Sequence, residues 1–485
     1  MVKRRISRVA RAMLAAGAAT LVAGPALADE LRDALALAYV SNPTLQAARA
    51  QQRSVDENVP IARSAGLPSL SGTATYTEFL KTSSNSFTSP SRAFDTQAQL
   101  GVPIYTGGAV KNSVRAAETR VGAGQADLRG VESGLFSQVV AAYMDVILAQ
   151  EVVKLNRANV QRLDVNLQAS KDRFEIGDLT RTDVAQSQSR LSLARGQVRS
   201  SEANLITARE RYIQVVGKAP VDLQSPPPLV GLPGNAPEAV AIALDHNPDL
   251  LAARQRATAA GFDVRVASAG KLPKVSLFAG GGYTDYLGTL GGSVPGNFTQ
   301  KSTTAQAGVR ATIPIFQGGL PAAQRRAAQA REGAVMEQEI GVERAVVANV
   351  RSAFAQWQAA QSLIGSSQVA VDAAALSLEG VRAENTVGNR TILDILNAEN
   401  ELLTAQVQFA TAQRNAYVAG FNLLAAMGKA EARDLGLEGG ALYDPQINYE
   451  RVRGKIWDWS QDPDPTTQAT RTVDTPVQDG SVSPQ

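Results

Sequence analysis

Two periodicities divide this chain. Four short stretches alternate apolar and polar side chains, and four longer ones repeat an apolar residue every three or four positions. From Leu70 the alternation sets Leu70, Ala74 and Tyr76 against Ser71, Thr73, Thr75 and Thr77. A return stretch sets Thr96, Ala98, Leu100, Val102 and Ile104 against Asp95, Gln97 and Gln99. Further on, Val275, Leu277, Ala279 and Tyr283 share a side, as do Ala305, Ala307, Val309, Ala311 and Ile313, opposite Gln306, Arg310 and Thr312. Period two over about ten residues predicts strands able to cross a bilayer, apolar toward lipid and polar toward a lumen. Any one of them equally suits a half-buried soluble hairpin. Four, with polar tips at 81–91 and 288–301, favour the membrane.

The longer stretches predict helices. Over 109–174 the seam runs Val110, Val114, Ala117, Val121, Leu128, Val131 and Leu135, then steps by four to Val139, Ala142, Val146, Ala149 and Val153. Val160, Leu163 and Leu167 continue it. Alternating steps of four and three make a coiled-coil seam, and the extra four is a stutter. At 1.5 Å per residue this is a rod of roughly 100 Å. It turns at Gly177 and returns to about 216 with Leu191, Val198, Leu205 and Tyr212 at heptad spacing. Earlier helices are predicted over 31–64 and 238–268, each bent near its start by Asn-Pro.

The chain is written twice. Asn42-Pro43 recurs as Asn247-Pro248 and Leu67-Pro68 as Leu272-Pro273, 205 positions on. From there the spacing is 211: Pro103 answers to Pro314, Gly107 to Gly318, Gly177 to Gly388, and Val216-Gly217-Lys218 to Met427-Gly428-Lys429. Pro103, Gly107, Pro314 and Gly318 mark strand–helix junctions. The expected fold class is mainly α with a membrane β-barrel contribution, from two tandem α-β-β-α-α units. Their bounds are 29–219, with a hairpin at 69–105, and 238–430, with a hairpin at 274–316. A Pro-rich connector spans 220–237, an equatorial segment 431–461 and a disordered tail 462–485. Four strands cannot seal a barrel, and an open sheet leaves unpaired backbone in hydrocarbon. The chain must therefore assemble with copies of itself.

Composition removes several functions. Residues 1–28 read as a signal peptide cleaved after Ala28, with a basic head, a short apolar run and a small-x-small end. This leader holds five of the 48 Lys+Arg and none of the 45 Asp+Glu, so the mature chain is slightly acidic despite a pI near 9.0. That leaves no case for nucleic-acid binding. No other segment reads as a long uncharged apolar span. With no cysteine and a single histidine, His246, disulfides, thiolate chemistry and multi-His metal sites are excluded. No cofactor is expected, and no cluster of catalytic groups that would make an enzyme.

The most specific pieces are residues 177–184 (G-D-L-T-R-T-D-V) and 388–396 (G-N-R-T-I-L-D-I-L), together with the paired junctions. In their order the chain resembles the TolC family of outer-membrane exit channels over about 31–437. The resemblance implies a homotrimer in the outer-membrane lipid, with a twelve-stranded barrel above a helical barrel projecting into the periplasm. It implies a passive duct served by a periplasmic adaptor docking at the tips near Gly177 and Gly388, and by an inner-membrane transporter of the ABC, RND or MFS type. Type I protein secretion stands level with drug efflux or slightly ahead of it. A periplasmic coiled-coil adaptor or an adhesin is the alternative. The resemblance also implies a constriction in which Arg390 bonds Thr182 and Asp183, with Asp394 as an acidic ring. Where the family carries a second aspartate and a gate tyrosine, this chain has Asn397 and Asn385, which implies a looser gate.

From the residues alone, Thr180–Asp183 and Thr391–Asp394 fit helix capping boxes, a role compatible with gating. His246 carries no assigned function, and Gly280–Gly282 lies in a strand rather than a phosphate loop. Trp457 and Trp459 are expected to pack on the equatorial segment.

Overall fold

The computed structural model describes residues 30–81, 89–291, 296–437 and 442–482 of the 485. The predicted leader with its cleavage at Ala28, and parts of both strand tips, lie outside the described residues.

The first repeat comprises α1 (Leu31–Ser41), α2 (Pro43–Asp56), α3 (Asn58–Ser64), β1 (Ser69–Glu78), β2 (Arg92–Tyr105), α4 (Ala109–Glu175) and α5 (Arg181–Val216). The second comprises α6 (Ala236–His246), α7 (Pro248–Ser268), β3 (Lys274–Asp285), β4 (Lys301–Thr312), α8 (Leu320–Thr386) and α9 (Ile392–Ala426), and α10 (Pro445–Val452) follows. The helix expected over 31–64 is broken a second time, at Glu57, where α2 gives way to α3. Pro60 is the reason: it has no N–H for the Asp56 carbonyl, and its ring crowds that carbonyl.

The repeated Asn-Pro is more than a bend. Asn42 caps α2 by accepting from the Thr44 N–H, and its amide donates to the Val215 carbonyl at the end of α5 at 2.8 Å. Asn247 likewise caps α7 through the Asp249 and Leu250 N–H groups and donates to the Ala426 carbonyl of α9 at 3.0 Å. Both asparagines are buried. One side chain thus starts a helix and closes the end of another far away in sequence, satisfying groups both helices would otherwise orphan.

The strands form one antiparallel sheet in the order β1-β2-β3-β4. Its register carries Leu70 opposite Leu100, Leu100 opposite Ala279 and Ala279 opposite Ala307, so the four apolar sides become one face. The next row joins Val102, Leu277 and Val309. Leu70, Leu277 and Val309 are exposed. Gln99, Gly280 and Gln306 align on the polar face. Pro103 sits at a bulge, since pairing slips between Pro103 and Tyr105. An interior strand tolerates a proline there because the bulge removes its need for a ladder donor. At Gly107 a Cβ would lie 2.9 Å from Leu272 Cβ, and φ is +64°, so only glycine turns the chain from sheet to helix at this junction.

The main core lies where α1 and the ends of α5 and α9 pack on α4 and α6 packs on α8, around Phe136, Tyr143, Leu205, Tyr212 and Phe421. One stretch of α4 is apolar enough to pass for a membrane span, contrary to the sequence reading, but half of it is buried within the protomer. It is a core helix. The contrast between the rods is large: α4 buries a near-continuous seam, whereas α8 buries only Ala328, Val346, Val350, Ala360 and Leu378. Met336, Leu363, Val369 and Leu376 on α8 stay exposed. The tail differs from the disordered segment expected. Arg209 donates to the Asp479 and Ser481 carbonyls at 2.7 and 2.8 Å, and Arg157 donates to the Gly480 carbonyl at 3.1 Å. Low apolar content did not free this segment, because arginines on α4 and α5 take up its carbonyls.

Asn247→Ala is expected to destabilise the protein by about 2 kcal/mol, through loss of a cap and a buried amide bond. Asn247→Asp keeps the cap acceptor and should recover part of that loss, read from thermal unfolding midpoints.

Candidate functional site: the helical-hairpin tips

Both rods end by the same device. Gly177 and Gly388 adopt φ of +84° and +81°, the left-handed conformation that closes a helix C-terminus. The Asp178 N–H returns to the Arg173 carbonyl and the Asn389 N–H to the Glu384 carbonyl, each at 2.9 Å. Across the first turn Arg173 pairs with Asp178 at 2.7 Å, and across the second Arg390 pairs with Glu384 at 2.7 Å. Arg173 and Glu384 are equivalent positions of the repeat, so each tip is braced from the same site with opposite charge, although the partners Asp178 and Arg390 lie one repeat position apart.

The return helices begin with full capping boxes. Thr180 accepts from the Asp183 N–H at 3.3 Å while Asp183 accepts from the Thr180 N–H at 2.9 Å; Thr391 and Asp394 repeat both distances. The Thr180 hydroxyl and N–H hold the Asp183 carboxyl below the usual aspartate range, and the Thr391 N–H and hydroxyl do the same for Asp394. The Glu384 carboxylate raises the Arg390 guanidinium above its ordinary value. Within one protomer, therefore, Arg390 is bound to Glu384 and Asp183 to Thr180. The structure does not bring Arg390 together with Thr182 or Asp183.

Other residues link the two hairpins. Asn385 accepts from Arg173 at 3.4 Å and donates to the Arg390 carbonyl at 2.7 Å. Asn397 accepts from Arg190 on α5 at 3.0 Å. Glu399, two residues on, has its side chain only 1% exposed. Both its oxygens accept from Asn166 on α4 at 2.9 Å, and Arg382 on α8 donates at 2.7 Å. One buried carboxylate thus joins α4, α8 and α9 beside the small cores formed by Leu163, Leu191 and Leu396 and by Leu378, Ile392 and Ile395. Sequence reading missed Arg173, Arg190, Asn166 and Glu399. A signal existed for Glu399: it falls on the apolar seam Leu396–Leu403, where a charge is out of place.

Around the protomer α4 lies beside α9, leaving α5 and α8 on opposite flanks of the hairpin region, as β1 and β4 flank the sheet. An open sheet with an apolar exposed face, continuous with rods whose flank is uncovered, defines a protomer of an oligomeric outer-membrane channel. A model of the family described as "Outer membrane efflux protein" matches residues 34–218 and 239–429, the two repeats, and the chain belongs to that family. The outer membrane efflux protein BepC of Brucella suis is 34% identical over 460 residues, covering 94% of this chain and 97% of that protein. The outer membrane protein TolC of Escherichia coli is 28% identical, covering 88% and 87%. The alkaline protease secretion protein AprF of Pseudomonas aeruginosa is 28% identical over 64% of each chain. Among solved structures, CusC superposes with a TM-score of 0.71 at 19% identity, covering 83% of this chain and 92% of that one. The CmeC channel of Campylobacter jejuni gives 0.71 at 19% identity, covering 87% and 89%. The protein resides in the outer membrane, with its sheet contributing to a trimeric barrel and its rods to a helical barrel in the periplasm.

Arg382→Met strips the cation from a buried carboxylate and is expected to destabilise the helical barrel by about 3 kcal/mol. Combining it with Glu399→Leu should restore most of that in denaturant titrations; equal losses in the single and double variants would show that the pair is uncoupled. The two capping boxes involve carboxyls whose folded values lie below the ordinary one. Their contribution is therefore complete above the usual aspartate value near 3.8 and is lost as pH falls through the lowered values. Amide exchange at the start of α5 and α9, corrected for intrinsic rates, should stay unchanged above the usual aspartate value and accelerate only as pH falls through the lowered values of these two carboxyls.

Proposed function

We propose that the trimer is the passive exit duct of a tripartite export system, receiving cargo from an inner-membrane transporter through a periplasmic adaptor that docks at the hairpin tips. One observation carries the reading: both sheet edges are unpaired and α8 leaves apolar residues exposed along its flank, so copies closing on one another enclose a continuous hollow through barrel and rods. A coiled-coil adaptor or adhesin would have no use for a four-stranded sheet that bears an exposed apolar face. Nothing in the duct selects a chemical class, and selection rests with the transporter. Small-molecule efflux is the favoured cargo, because BepC, at 34% identity against 28% for AprF and 25% for PrtF, is named an efflux protein. AprF and PrtF, named for protease secretion, keep the secretory reading as the second.

The gate lies between protomers. Thr182 and Arg390 are exposed at the tips, and the ring places α8 of one copy beside α5 of the next. Arg390 then exchanges Glu384 for the Thr182–Asp183 pair of its neighbour. Three Asp394 carboxylates narrow the entrance and favour cations. Asn397, a neutral amide, adds no second charge, and its oxygen accepts from Arg190.

Arg390→Ala is expected to raise single-channel conductance in planar bilayers, and Asp394→Asn to lower cation selectivity and weaken block by divalent ions. Unchanged conductance in the first and unchanged selectivity in the second would refute these assignments while leaving the duct intact. Disrupting the gene distinguishes the cargoes: sensitisation to dyes and antibiotics supports efflux, whereas loss of a secreted protein alone overturns it.

A further inference from the structure

Beyond α10 the chain makes an out-and-back excursion that the export reading does not use. α10 is fastened to the first repeat: Asn448 donates to Asp56 at 2.6 Å, and Tyr449 packs with Val59, Ala117 and Val121. From there the chain climbs toward the sheet, and Arg63 on α3 donates to the Arg453 carbonyl at 3.3 Å. That contact lies three residues before Gly66, whose Cβ position is 2.9 Å from a Val110 methyl at the start of α4. It also lies six residues before β1. Arg453 is therefore about one helical turn below the strand–helix junction, where membrane gives way to periplasm.

The apex follows at once. Ile456, Trp457 and Trp459 are 70%, 72% and 79% exposed. They do not pack on the equatorial segment, which corrects the sequence expectation. The apex is nonetheless held in shape. Asp462 accepts from both Arg451 nitrogens at 2.7 Å and from Lys455 at 3.0 Å, closing the stem, and the Ser460 N–H returns to the Trp457 carbonyl at 3.0 Å. The chain then descends, and Thr470 reaches Gly217 at the end of α5. A braced loop that presents two tryptophans and an isoleucine to solvent leaves a large apolar surface uncovered. Tryptophan combines an apolar ring with an N–H donor and collects where hydrocarbon meets headgroups.

We propose that this loop is a lipid anchor outside the barrel, in which Ile456, Trp457 and Trp459 insert into the periplasmic leaflet of the outer membrane. The loop follows directly on Arg453, which Arg63 holds six residues before β1, and phospholipid at the acyl–headgroup boundary is its partner. Three copies of the anchor around the trimer fix the barrel's height in the bilayer and resist tilting of the long rods beneath it.

The chain's three tryptophans make the test direct. Trp357→Phe leaves Trp457 and Trp459 as the only indoles. The assembled trimer is reconstituted into phosphatidylethanolamine–phosphatidylglycerol vesicles carrying bromines at shallow or deep acyl positions. Insertion predicts blue-shifted emission, strongly quenched by shallow bromines and weakly by deep ones. Red-shifted emission without quenching would place the loop in water and overturn the proposal. Blue-shifted, unquenched emission that is the same in detergent would show a neighbouring protomer covering the loop, and would overturn it equally. Trp457→Ala with Trp459→Ala on the native Trp357 background should leave trimer and conductance intact while abolishing the quenching by shallow bromines, so failure of the anchor is separable from failure of the duct.

Discussion

Backbone hydrogen bonding in hydrocarbon is the constraint from which the rest of this structure follows. Each edge of the sheet leaves a row of N–H and C=O groups unpaired, and lipid offers no substitute for water. β1 and β4 are those edges, so the protomer is incomplete by itself. Closing the ring with copies pairs the edges, covers the flank of α8 and creates the lumen in one step. Assembly, membrane residence and conduction are thus consequences of the same unmet hydrogen bonds.

The duplication divides the labour. Both repeats use an asparagine clamp to start one helix and close another, a Gly-Gly pair to turn from sheet to rod, and a left-handed glycine to reverse the rod. They differ in what they bury. α4 forms the inner core of the protomer, while α8 leaves Met336, Leu363, Val369 and Leu376 exposed. They differ also at the tips, where equivalent positions carry Arg173 and Glu384 and so brace their turns with opposite polarity.

Polar chemistry concentrates where the two hairpins meet. Along most of the rods small apolar residues suffice, but near the tips Asn166, Arg382 and Glu399 join three helices through one buried carboxylate. A buried, fully partnered charge specifies one arrangement more sharply than apolar packing does, because every displacement leaves a group unsatisfied. Asn385 and Asn397, at positions where the family resemblance implies a tyrosine and an aspartate, are held by Arg173 and Arg190. Neutral side chains there still tie one hairpin to the other.

Local periodicity and spacing determined much of this protein. The alternation fixed four strands and their lipid-facing sides, the heptads fixed the rods, and the exact echo of Asn-Pro, Gly-Gly and tip glycine fixed the repeat, because each of these signals depends only on residues a few positions apart. The capping boxes at Thr180–Asp183 and Thr391–Asp394 were legible for the same reason. Long-range contacts were not. Which carbonyl Asn42 or Asn247 closes, that Glu399 takes a donor from α4 and that the tail lies along α5 all join groups far apart in sequence. Only the packed chain decides those distances, since a side chain's partner is set by which helices the core forces together.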